Sequence, residues 1–311
     1  MPYTKSQKIW MNGEFVDWDK AQVHVLTHAL HYGSSVFEGM RCYKTKNGSA
    51  VFRLTEHMER LVNSAKIYKM APSYSVTELV EAVEETIRTN EMDECYVRPL
   101  VFRGFGDVGV NPKSCPIETM IAVWGWGAYL GAGAIEDGVD VMVSSWQRFA
   151  PNTLPAMSKC AANYMNSQLA KLEAIDAGFV EGILINTNGY VCEGSGENIF
   201  VVWRDQIMTP PLASSILPGL TRDSIIKLAK DKGYDVVEQD IPRELLYVAD
   251  EVFFTGSAAE VTPIRSVDRH AVGSGKRGPV TKDLQEHFAG ITSGEREDVH
   301  GWLHYVTKVA V

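Results

Sequence analysis

The chain contains 311 residues, of which 45% are hydrophobic and 22% are charged, and this length suits one large domain or two domains of medium size. Its formal net charge of −9 argues against a general binding surface for nucleic acid or for anionic membranes. Any anionic ligand must therefore be held by a few basic groups gathered at one place.

The N-terminal sequence and the cysteines bear on the cellular location. The segment MPYTKSQKIWMNGEFV has no apolar signal core, and no run of about eighteen apolar residues, enough to cross a membrane, occurs in the chain. The five cysteines form no CxxC pair, which suits a reducing compartment better than a disulfide framework. We therefore expect a cytoplasmic protein.

Helices and strands are both predicted in the first part of the chain. Residues 55–70 place apolar side chains at helical spacing, and a second helix follows the capping-box pair Ser75 and Glu78. Residues 95–103 and 117–124 have the composition of strands. No internal repeat is present. The pattern predicts an α/β fold.

A glycine-rich segment, YLGAGAIEDG, predicts a linker with a domain boundary near residue 132. We expect a smaller α/β domain at 1–131 and a larger one at 132–311. A helix is predicted over 219–233, with Thr221 near its start and Gly233 just past its end. Strands are predicted in the larger domain at 139–146, 181–187, 197–203 and 250–256.

A GxGxxG match lacks the context of a dinucleotide site. Gly104, Gly106 and Gly109 follow a predicted strand. A dinucleotide site also needs a helix directly afterwards, which points its N-terminus at the pyrophosphate. Pro112 and Pro116 prevent that helix, so we do not expect dinucleotide binding.

Three histidines, His24, His28 and His31, have a spacing that could gather a metal ion on a helix. Valines precede them, and their segment has no HExxH glutamate. Packed or capping histidines are the better interpretation, and no metal is expected.

Lys159 carries more chemical information. It lies in an acid-free stretch, QRFAPNTLPAMSKCAANYMNSQLAKL, just before a helical pattern that includes Tyr164. At the start of a helix, the dipole and a low dielectric would disfavour a protonated amine, and an unprotonated lysine can form an imine. The spacing alone leaves a surface lysine as the alternative.

The segment EGSGENIF, residues 193–200, combines small residues with two acids. Small residues let backbone N–H groups approach a phosphate, but Glu193 would repel it. Pyridoxal phosphate resolves the conflict, because a carboxylate can hold its ring nitrogen protonated while the phosphate is bound elsewhere. The sequence 217–223, LPGLTRD, offers a helix N-terminus for the phosphate, and 255–260, TGSAAE, offers a second tight turn. Glu193 as a solvated turn acid stays open at this point.

Several motifs together resemble one family. They are SKCAANY, GYVCEGSGENIF, ILPGLTRDSIIKLAK, TGSAAEVTPIRSVD, HALHYGSSVFEGMRCY, YVRPL and WGAYLG. They resemble the branched-chain amino acid aminotransferases of bacteria, in the fold-type IV family of pyridoxal phosphate enzymes. The resemblance extends over nearly the whole chain. It implies a two-domain α/β fold with the cofactor at the domain interface.

The resemblance implies a role for each matching residue around the cofactor. Lys159 resembles the Schiff-base lysine, which also moves a proton at the substrate α-carbon, and Glu193 resembles the ring-nitrogen partner. Tyr164 resembles the residue that hydrogen-bonds the phenolic oxygen. Residues that match the phosphate ligands and the surrounding cofactor site are Arg60, Leu220, Thr221, Ser257, Gly196, Glu197 and Asn198, although Glu197 could be structural.

The resemblance also implies a pocket for two kinds of substrate. A branched aliphatic side chain would contact Phe37, Trp126 and Tyr164. The α-carboxylate would contact Tyr96 and the N–H groups of Ser257 and Ala258. Arg98, with Tyr32 and Tyr129, resembles the group that receives the side-chain carboxylate of glutamate, and a structural pair between Arg98 and an acid such as Glu38 is the alternative.

The implied activity is reversible ping-pong transfer of the amino group from L-leucine, L-isoleucine or L-valine to 2-oxoglutarate. A D-amino acid or (R)-amine transaminase, or an aminodeoxychorismate lyase-like enzyme, would share the fold, Lys159 and Glu193. A protein that only binds a phosphorylated ligand would need neither residue. The resemblance implies a homo-oligomer, at least a dimer, with a hexamer left open.

Overall fold

A computed structural model describes residues 4–127, 130–131 and 133–306 of the chain. These residues pack as two compact units. The first unit contains 4–127, 158–162 and 291–306, and the second contains the other described residues. The segment that carries Lys159 therefore packs within the first unit, although its chain neighbours on both sides belong to the second. The domain division near residue 132 stays a prediction.

The elements of the first 127 residues agree with the predicted pattern. The predicted strands at 95–103 and 117–124 and both predicted helices are confirmed, including the capping box, in which Glu78 N–H donates to Ser75 Oγ. The strands are β1 Thr4–Lys5, β2 Lys8–Met11, β3 Glu14–Asp17, β4 Ser35–Phe37, β5 Met40–Thr45, β6 Gly48–Phe52, β7 Cys95–Arg103 and β8 Ile117–Gly125. The helices are α1 His28–Tyr32, α2 Leu54–Ile67 and α3 Val76–Thr89.

In the rest of the chain, the predicted strands at 139–146, 181–187, 197–203 and 250–256 and the predicted helix over 219–233 are confirmed, and Gly233 lies in the left-handed region at φ 83° just past the end of that helix. The helices are α4 Ala134–Asp137, α5 Tyr164–Asp176, α6 Leu220–Asp231, α7 Leu245–Val248 and α8 Pro279–Thr292. The strands are β9 Val139–Gln147, β10 Glu181–Ile185, β11 Val191–Gly194, β12 Asn198–Trp203, β13 Gln206–Thr209, β14 Asp235–Glu238, β15 Glu251–Gly256, β16 Glu260–Val267, β17 His270–Ala271 and β18 Leu303–Tyr305. None of the helices in the described part of the chain combines the length and apolar character that crossing a bilayer requires.

The first unit is built on an antiparallel sheet with the strand order β18-β6-β5-β7-β8-β2-β3, and β1 and β4 pair with β8 and β7. Helices α2 and α3 bury their apolar stripes in the same core, with Met58, Leu61 and Leu79 fully inaccessible to solvent. Burial of this apolar surface is the main favourable contribution to folding. The sheet positions β4, which carries Phe37, and β7, which carries Tyr96 and Arg98.

The second unit is built on a mixed sheet with the order β11-β10-β9-β16-β15-β12-β13-β14, and β17 pairs with β16. Strand β9 runs parallel to β10 and β16, as β13 does to β14. An extra pairing of Glu193 with Asn198 joins β11 to β12, so six strands form a closed ring of pairings. This closure brings the hairpin of the EGSGENIF segment to one fixed place.

Helix α5 buries the face that carries its small residues, and the face with its large apolar side chains is exposed, which is the reverse of what an apolar pattern normally predicts. The small residues Ser167, Ala170 and Ala174 are buried, and a Cβ on Gly182 of β10 would lie 2.7 Å from the Ala170 carbonyl oxygen. The apolar side chains of Met165, Leu169, Leu172 and Ile175 are exposed. Close backbone approach to the sheet requires small residues on the inner face, so the large side chains lie outside.

Candidate active site

Lys159 lies in an extended segment rather than in a helix. Phe37 N–H donates to the Lys159 carbonyl oxygen at 3.0 Å, and Lys159 N–H donates to Ser64 Oγ at 3.0 Å. Its neighbour Cys160 forms an antiparallel bridge with Val36. Lys159 itself is not helical, because pairing with β4 keeps its segment extended, and the helical run begins two residues later with the 3-10 turn Ala161–Asn163, which leads into α5 at Tyr164.

The lysine side chain lies close to other site residues of the first unit. Its Nζ atom lies 5.1 Å from the ring centre of Phe37. Burial lowers the pKa of His57 on α2, and the charges of Arg60 and Lys159 act in the same direction against the attraction of Glu38. Lys159, Phe37 and the His57–Arg60 turn of α2 are therefore near neighbours.

Arg60 is held by an acid that the sequence did not assign to it. Its Nε atom donates to Glu38 Oε1 at 2.6 Å and its Nη2 to Oε2 at 2.8 Å, and His57 Nδ1 lies 2.7 Å from Oε2. Burial alone would raise the pKa of Glu38, but the charges of Arg60 and His57 outweigh it and hold that pKa far below its ordinary value. A bidentate pair of this kind fixes the guanidinium in one plane.

Arg98 lies among aromatic rings on β7. Its guanidinium carbon is 4.7 Å from the ring centre of Phe37, 5.3 Å from that of Tyr96 and 5.7 Å from that of Trp124. Its Nη2 atom donates to the Tyr96 hydroxyl at 3.3 Å, and its buried Nε has no hydrogen-bond partner among the described residues. Glu38, the acid considered as a structural partner for it, pairs with Arg60 instead.

Tyr96 links this arginine to a wider aromatic group. Its ring centre lies 4.4 Å from that of Trp126 at an interplanar angle of 84°, and 5.2 Å from that of Trp124. A Cβ on Gly39 would lie 1.9 Å from the Tyr96 hydroxyl oxygen, so this position between Glu38 and β5 admits only glycine without a shift. The first unit therefore brings Phe37, Tyr96, Arg98 and Trp126 together, and their roles towards substrate stay a prediction.

Of the predicted substrate residues on the N-terminal side of β4, Tyr32 is not part of that group. Tyr32 on α1 is 47% exposed and stacks on His28 at 4.6 Å between ring centres. Tyr129 lies outside the described residues. The histidines near Tyr32 have protein contacts: His28 lies 2.8 Å from the Gly109 carbonyl oxygen and His31 lies 2.8 Å from that of Val25.

In the second unit, Glu193 is a buried carboxylate with several donors. Arg148 Nη2 lies 2.6 Å from Oε1, while Leu217 N–H and Asn198 Nδ2 donate to Oε2 at 3.0 Å and 3.2 Å. The side chains of Arg148 and Glu193 are 6% and 7% exposed, so Glu193 is not a solvated turn acid. Sequence reasoning missed Arg148, although it is the lone arginine of the acid-free stretch before Glu173.

Asn198 connects Glu193 to the N-terminus of α6. Its Nδ2 also donates to the Leu217 carbonyl oxygen at 3.0 Å, and a Cβ on Gly219 would lie 1.9 Å from its Oδ1. Gly219 is the N-cap of α6 and has no side chain to cap it, and Thr221 is buried in the first turn. A helix N-terminus with a glycine entry is a favourable place for a phosphate group.

The turn after Glu193 lies beside the turn after β15. Asn198 pairs with Thr255, and a Cβ on Gly256 would lie 3.6 Å from the Gly196 carbonyl oxygen. Ser257 and Ala258 form the turn that follows Gly256, and both are half-buried. Tyr164 is the half-buried first residue of α5.

Glu197 differs from Glu193 in its surroundings. It is buried, and its Oε2 accepts a hydrogen bond from Gly196 N–H at 3.1 Å. Burial and the nearby carboxylate of Glu181 raise the pKa of Glu197 to about 8. The two glutamates of this hairpin thus lie in opposite electrostatic environments, since Glu193 has the cation of Arg148 beside it and Glu197 has the carboxylate of Glu181 nearby.

The chain is similar to known proteins along nearly its whole length. Residues 35–267 match the model of the amino-transferase class IV family. The chain is 53% identical over 309 residues to the branched-chain-amino-acid aminotransferase of Escherichia coli (strain K12), covering 99% of this chain and 100% of that protein. It also resembles the T.th. branched-chain amino acid aminotransferase complexed with N-(5'-phosphopyridoxyl)-L-glutamate, at 47% identity and a TM-score of 0.93, covering 98% and 100% of the two chains. The same values of TM-score and coverage, with 46% identity, hold for that enzyme complexed with 4-methylvaleric acid.

Proposed function

The chain belongs to the class IV aminotransferase family, and we propose that it transfers the amino group of L-leucine, L-isoleucine or L-valine to 2-oxoglutarate. The family and the fold expected from the motifs are thereby confirmed, and the protein is a transaminase. The names of the relatives support branched-chain substrates. The two complexes of the T.th. enzyme contain a glutamate derivative and a carboxylic acid with the branched chain of leucine, which supports a pocket for both kinds of substrate.

The observation that carries the proposal is the setting of Arg98. Its guanidinium lies among Phe37, Tyr96 and Trp124, and its buried Nε lacks a partner among the described residues. A polar group left without a hydrogen bond is costly. The aromatic rings suit an aliphatic side chain, and the guanidinium suits a carboxylate. We therefore assign Arg98 to the side-chain carboxylate of glutamate and 2-oxoglutarate.

Each unit offers polar groups that fit a part of pyridoxal 5'-phosphate. The second unit offers a buried carboxylate for a ring nitrogen, and a glycine-capped helix N-terminus for a phosphate. The first unit offers a lysine amine and an arginine whose plane is fixed by Glu38. When bound, this cofactor supplies a carbonyl that takes up the amino group and a ring that withdraws electrons from the substrate α-carbon.

Each protein residue then has a defined task. Lys159 would move the proton between the substrate α-carbon and the cofactor, in opposite directions in the two half-reactions. Glu193 would accept a hydrogen bond from the protonated ring nitrogen. We assign binding of the phosphate to Arg60, Leu220, Thr221 and Ser257, with Gly196, Glu197 and Asn198 around it. Tyr164 is assigned to the phenolic oxygen.

The substrate residues complete the assignment. Phe37, Trp126 and Tyr164 contact the aliphatic side chain. Tyr96, Ser257 and Ala258 bind the α-carboxylate, which every substrate carries. Tyr32 and Tyr129 assist Arg98.

We also propose a cytoplasmic homo-oligomer of at least two copies. All five cysteines are free and buried, as suits a reducing compartment. The exposed apolar face of α5, formed by Met165, Leu169, Leu172 and Ile175, is typical of surfaces that contact another protein.

The test of the proposed activity separates the two half-reactions. Holoenzyme is mixed with L-leucine, and the visible absorption of the bound cofactor is followed until it bleaches. Addition of 2-oxoglutarate should restore the band and yield glutamate in equal amount. Bleaching by D-amino acids or (R)-amines but not by L-leucine would contradict the proposal and favour a transaminase of the opposite stereochemistry. Release of the product without formation of glutamate would favour a lyase.

A further inference from the structure

Arg148 is a buried arginine next to the proposed ring-nitrogen partner. Its Nη2 atom lies 2.6 Å from Glu193 Oε1, its Nε donates to the Ser215 carbonyl oxygen at 3.2 Å, and its Nη1 donates to Ser167 Oγ at 3.4 Å. Its guanidinium carbon also lies 4.4 Å from the ring centre of Phe149. Because all three guanidinium nitrogens have contacts, the guanidinium is held in one orientation.

The other oxygen of Glu193 is also held by donors. Leu217 N–H donates to Oε2 at 3.0 Å and Asn198 Nδ2 donates at 3.2 Å. Both oxygens are therefore contacted by groups that favour the ionised form of a carboxyl. One full charge and two neutral donors thus surround a single buried carboxylate.

A carboxylate with this task faces a specific difficulty. In a buried site, an ion pair between a carboxylate and a protonated ring nitrogen can collapse, because the proton can move to the carboxyl and leave two neutral groups. A cation on the far side of the carboxylate opposes that transfer, since it repels a proton that comes closer to it. The hydrogen bonds from Leu217 N–H and Asn198 Nδ2 to Oε2 also make the carboxylate a weaker proton acceptor.

We propose that Arg148 is a positioning residue, which keeps Glu193 ionised so that the proton shared with the ring nitrogen stays on the nitrogen. The part of this inference that concerns the ring rests on the proposed function. The ionisation of Glu193 by Arg148 concerns the protein alone and can be measured without cofactor.

The first experiment uses cofactor-free protein. Denaturant midpoints of wild type and Arg148→Gln are compared between about pH 5 and pH 8. In the variant, the buried carboxylate of Glu193 has lost its cation, and this charge is costly at pH 8 but can be neutralised by protonation at pH 5. The midpoint difference between wild type and Arg148→Gln should therefore be at least about twice as large at pH 8 as at pH 5. In a Glu193→Gln background, Arg148→Gln should show no loss that grows with pH.

The second experiment reads the ring nitrogen directly. Wild type and variants are loaded with pyridoxal 5'-phosphate labelled with 15N in the ring, and the nitrogen chemical shift is recorded. Wild type should show the shift of a protonated nitrogen, and Arg148→Gln should move it towards the unprotonated value. Arg148→Lys keeps the charge and should stay close to wild type in both experiments, and it serves as the test variant if Arg148→Gln does not fold.

A matched control is Arg222→Gln in the same unit. Arg222 is also buried and its Nη2 lies 2.6 Å from Glu238, but that carboxylate is 46% exposed and stays solvated. This control should change neither the ring-nitrogen shift nor the pH dependence of stability. A loss of midpoint that is equal at all pH values, or a ring nitrogen equally protonated in wild type and Arg148→Gln, would overturn the proposal. An Arg148→Lys variant that loses ring protonation would do the same. A wild-type protein that takes up no cofactor would contradict the proposed function, and the cofactor-free experiment would then decide about Arg148.

Discussion

Replacement of Arg98 by leucine separates the two substrates of the proposed reaction. The change removes the guanidinium and keeps an apolar side chain among the rings of Phe37, Tyr96 and Trp124. The half-reaction with leucine should change little, because an aliphatic substrate gains nothing from the charge. The half-reaction with glutamate should lose its charge-assisted contact to the side-chain carboxylate.

The size of the loss follows from the contact. A hydrogen bond to a charged group contributes about 1.5–3 kcal/mol, and about 1.4 kcal/mol corresponds to a factor of ten. The expected loss in the glutamate half-reaction is therefore about ten- to a hundredfold. Arg98 has one weak hydrogen bond, at 3.3 Å to Tyr96, and no ion pair among the described residues, so the fold should tolerate the change.

Single-turnover kinetics measure the effect. Each amino acid is mixed in excess with holoenzyme, and the concentration dependence of the bleaching rate gives the binding constant and the limiting rate separately. Tyr96→Phe serves as the contrast, since loss of an α-carboxylate contact should slow both half-reactions to a similar extent. Equal losses with leucine and glutamate in Arg98→Leu would refute the assignment of Arg98 to the second carboxylate.

Three further predictions concern other residues. Lys159→Ala should still take up cofactor, measured by equilibrium dialysis, but should lose turnover by about three orders of magnitude or more, since proton transfer at the α-carbon is lost; near-normal transamination would assign the proton transfer to another residue. Glu38→Gln breaks a buried pair and should destabilise the protein by about 3–5 kcal/mol in urea unfolding while weakening cofactor binding, because Arg60 loses its fixed plane. The control Asp19→Asn removes the partner of Lys5 in an ion pair whose side chains are 54% and 79% exposed and should change stability by less than about 1 kcal/mol, and an equal effect of both changes would contradict a special role of Glu38. Glu197→Gln should gain stability relative to wild type as the pH rises from about 5 to 8. The carboxyl ionises in the unfolded chain above its ordinary pKa, while in the folded protein its pKa is raised to about 8, so wild-type stability falls across that range and the variant lacks this loss. A flat difference in denaturant midpoint across that range would refute the burial of a neutral Glu197.

Local sequence patterns predicted the family, the helices α2, α3 and α6 and several central strands of the two sheets. The capping box of Ser75 and Glu78, the helical spacing of Met58 and Leu61 and the glycine after α6 depend on neighbours within a few residues. Such signals are local, so they survive without knowledge of the fold. Side chains alternate along a strand, so Tyr96 and Arg98, two residues apart on β7, share a face, and the two side chains are in contact.

The pairing of buried charged groups depends on tertiary packing. Glu38 is paired with Arg60 and His57 because β4 passes beside α2, and Arg148 reaches Glu193 because the closed ring of strands in the second unit brings distant segments together. The environment of Lys159 was decided in the same way, since its segment pairs with β4 and with Ser64, 95 residues earlier in the chain. Pairings over such separations depend on strand order and register, which no spacing within a short segment encodes. The apolar pattern of α5 illustrates the same limit, because close packing on Gly182 selected the small residues for the inner face.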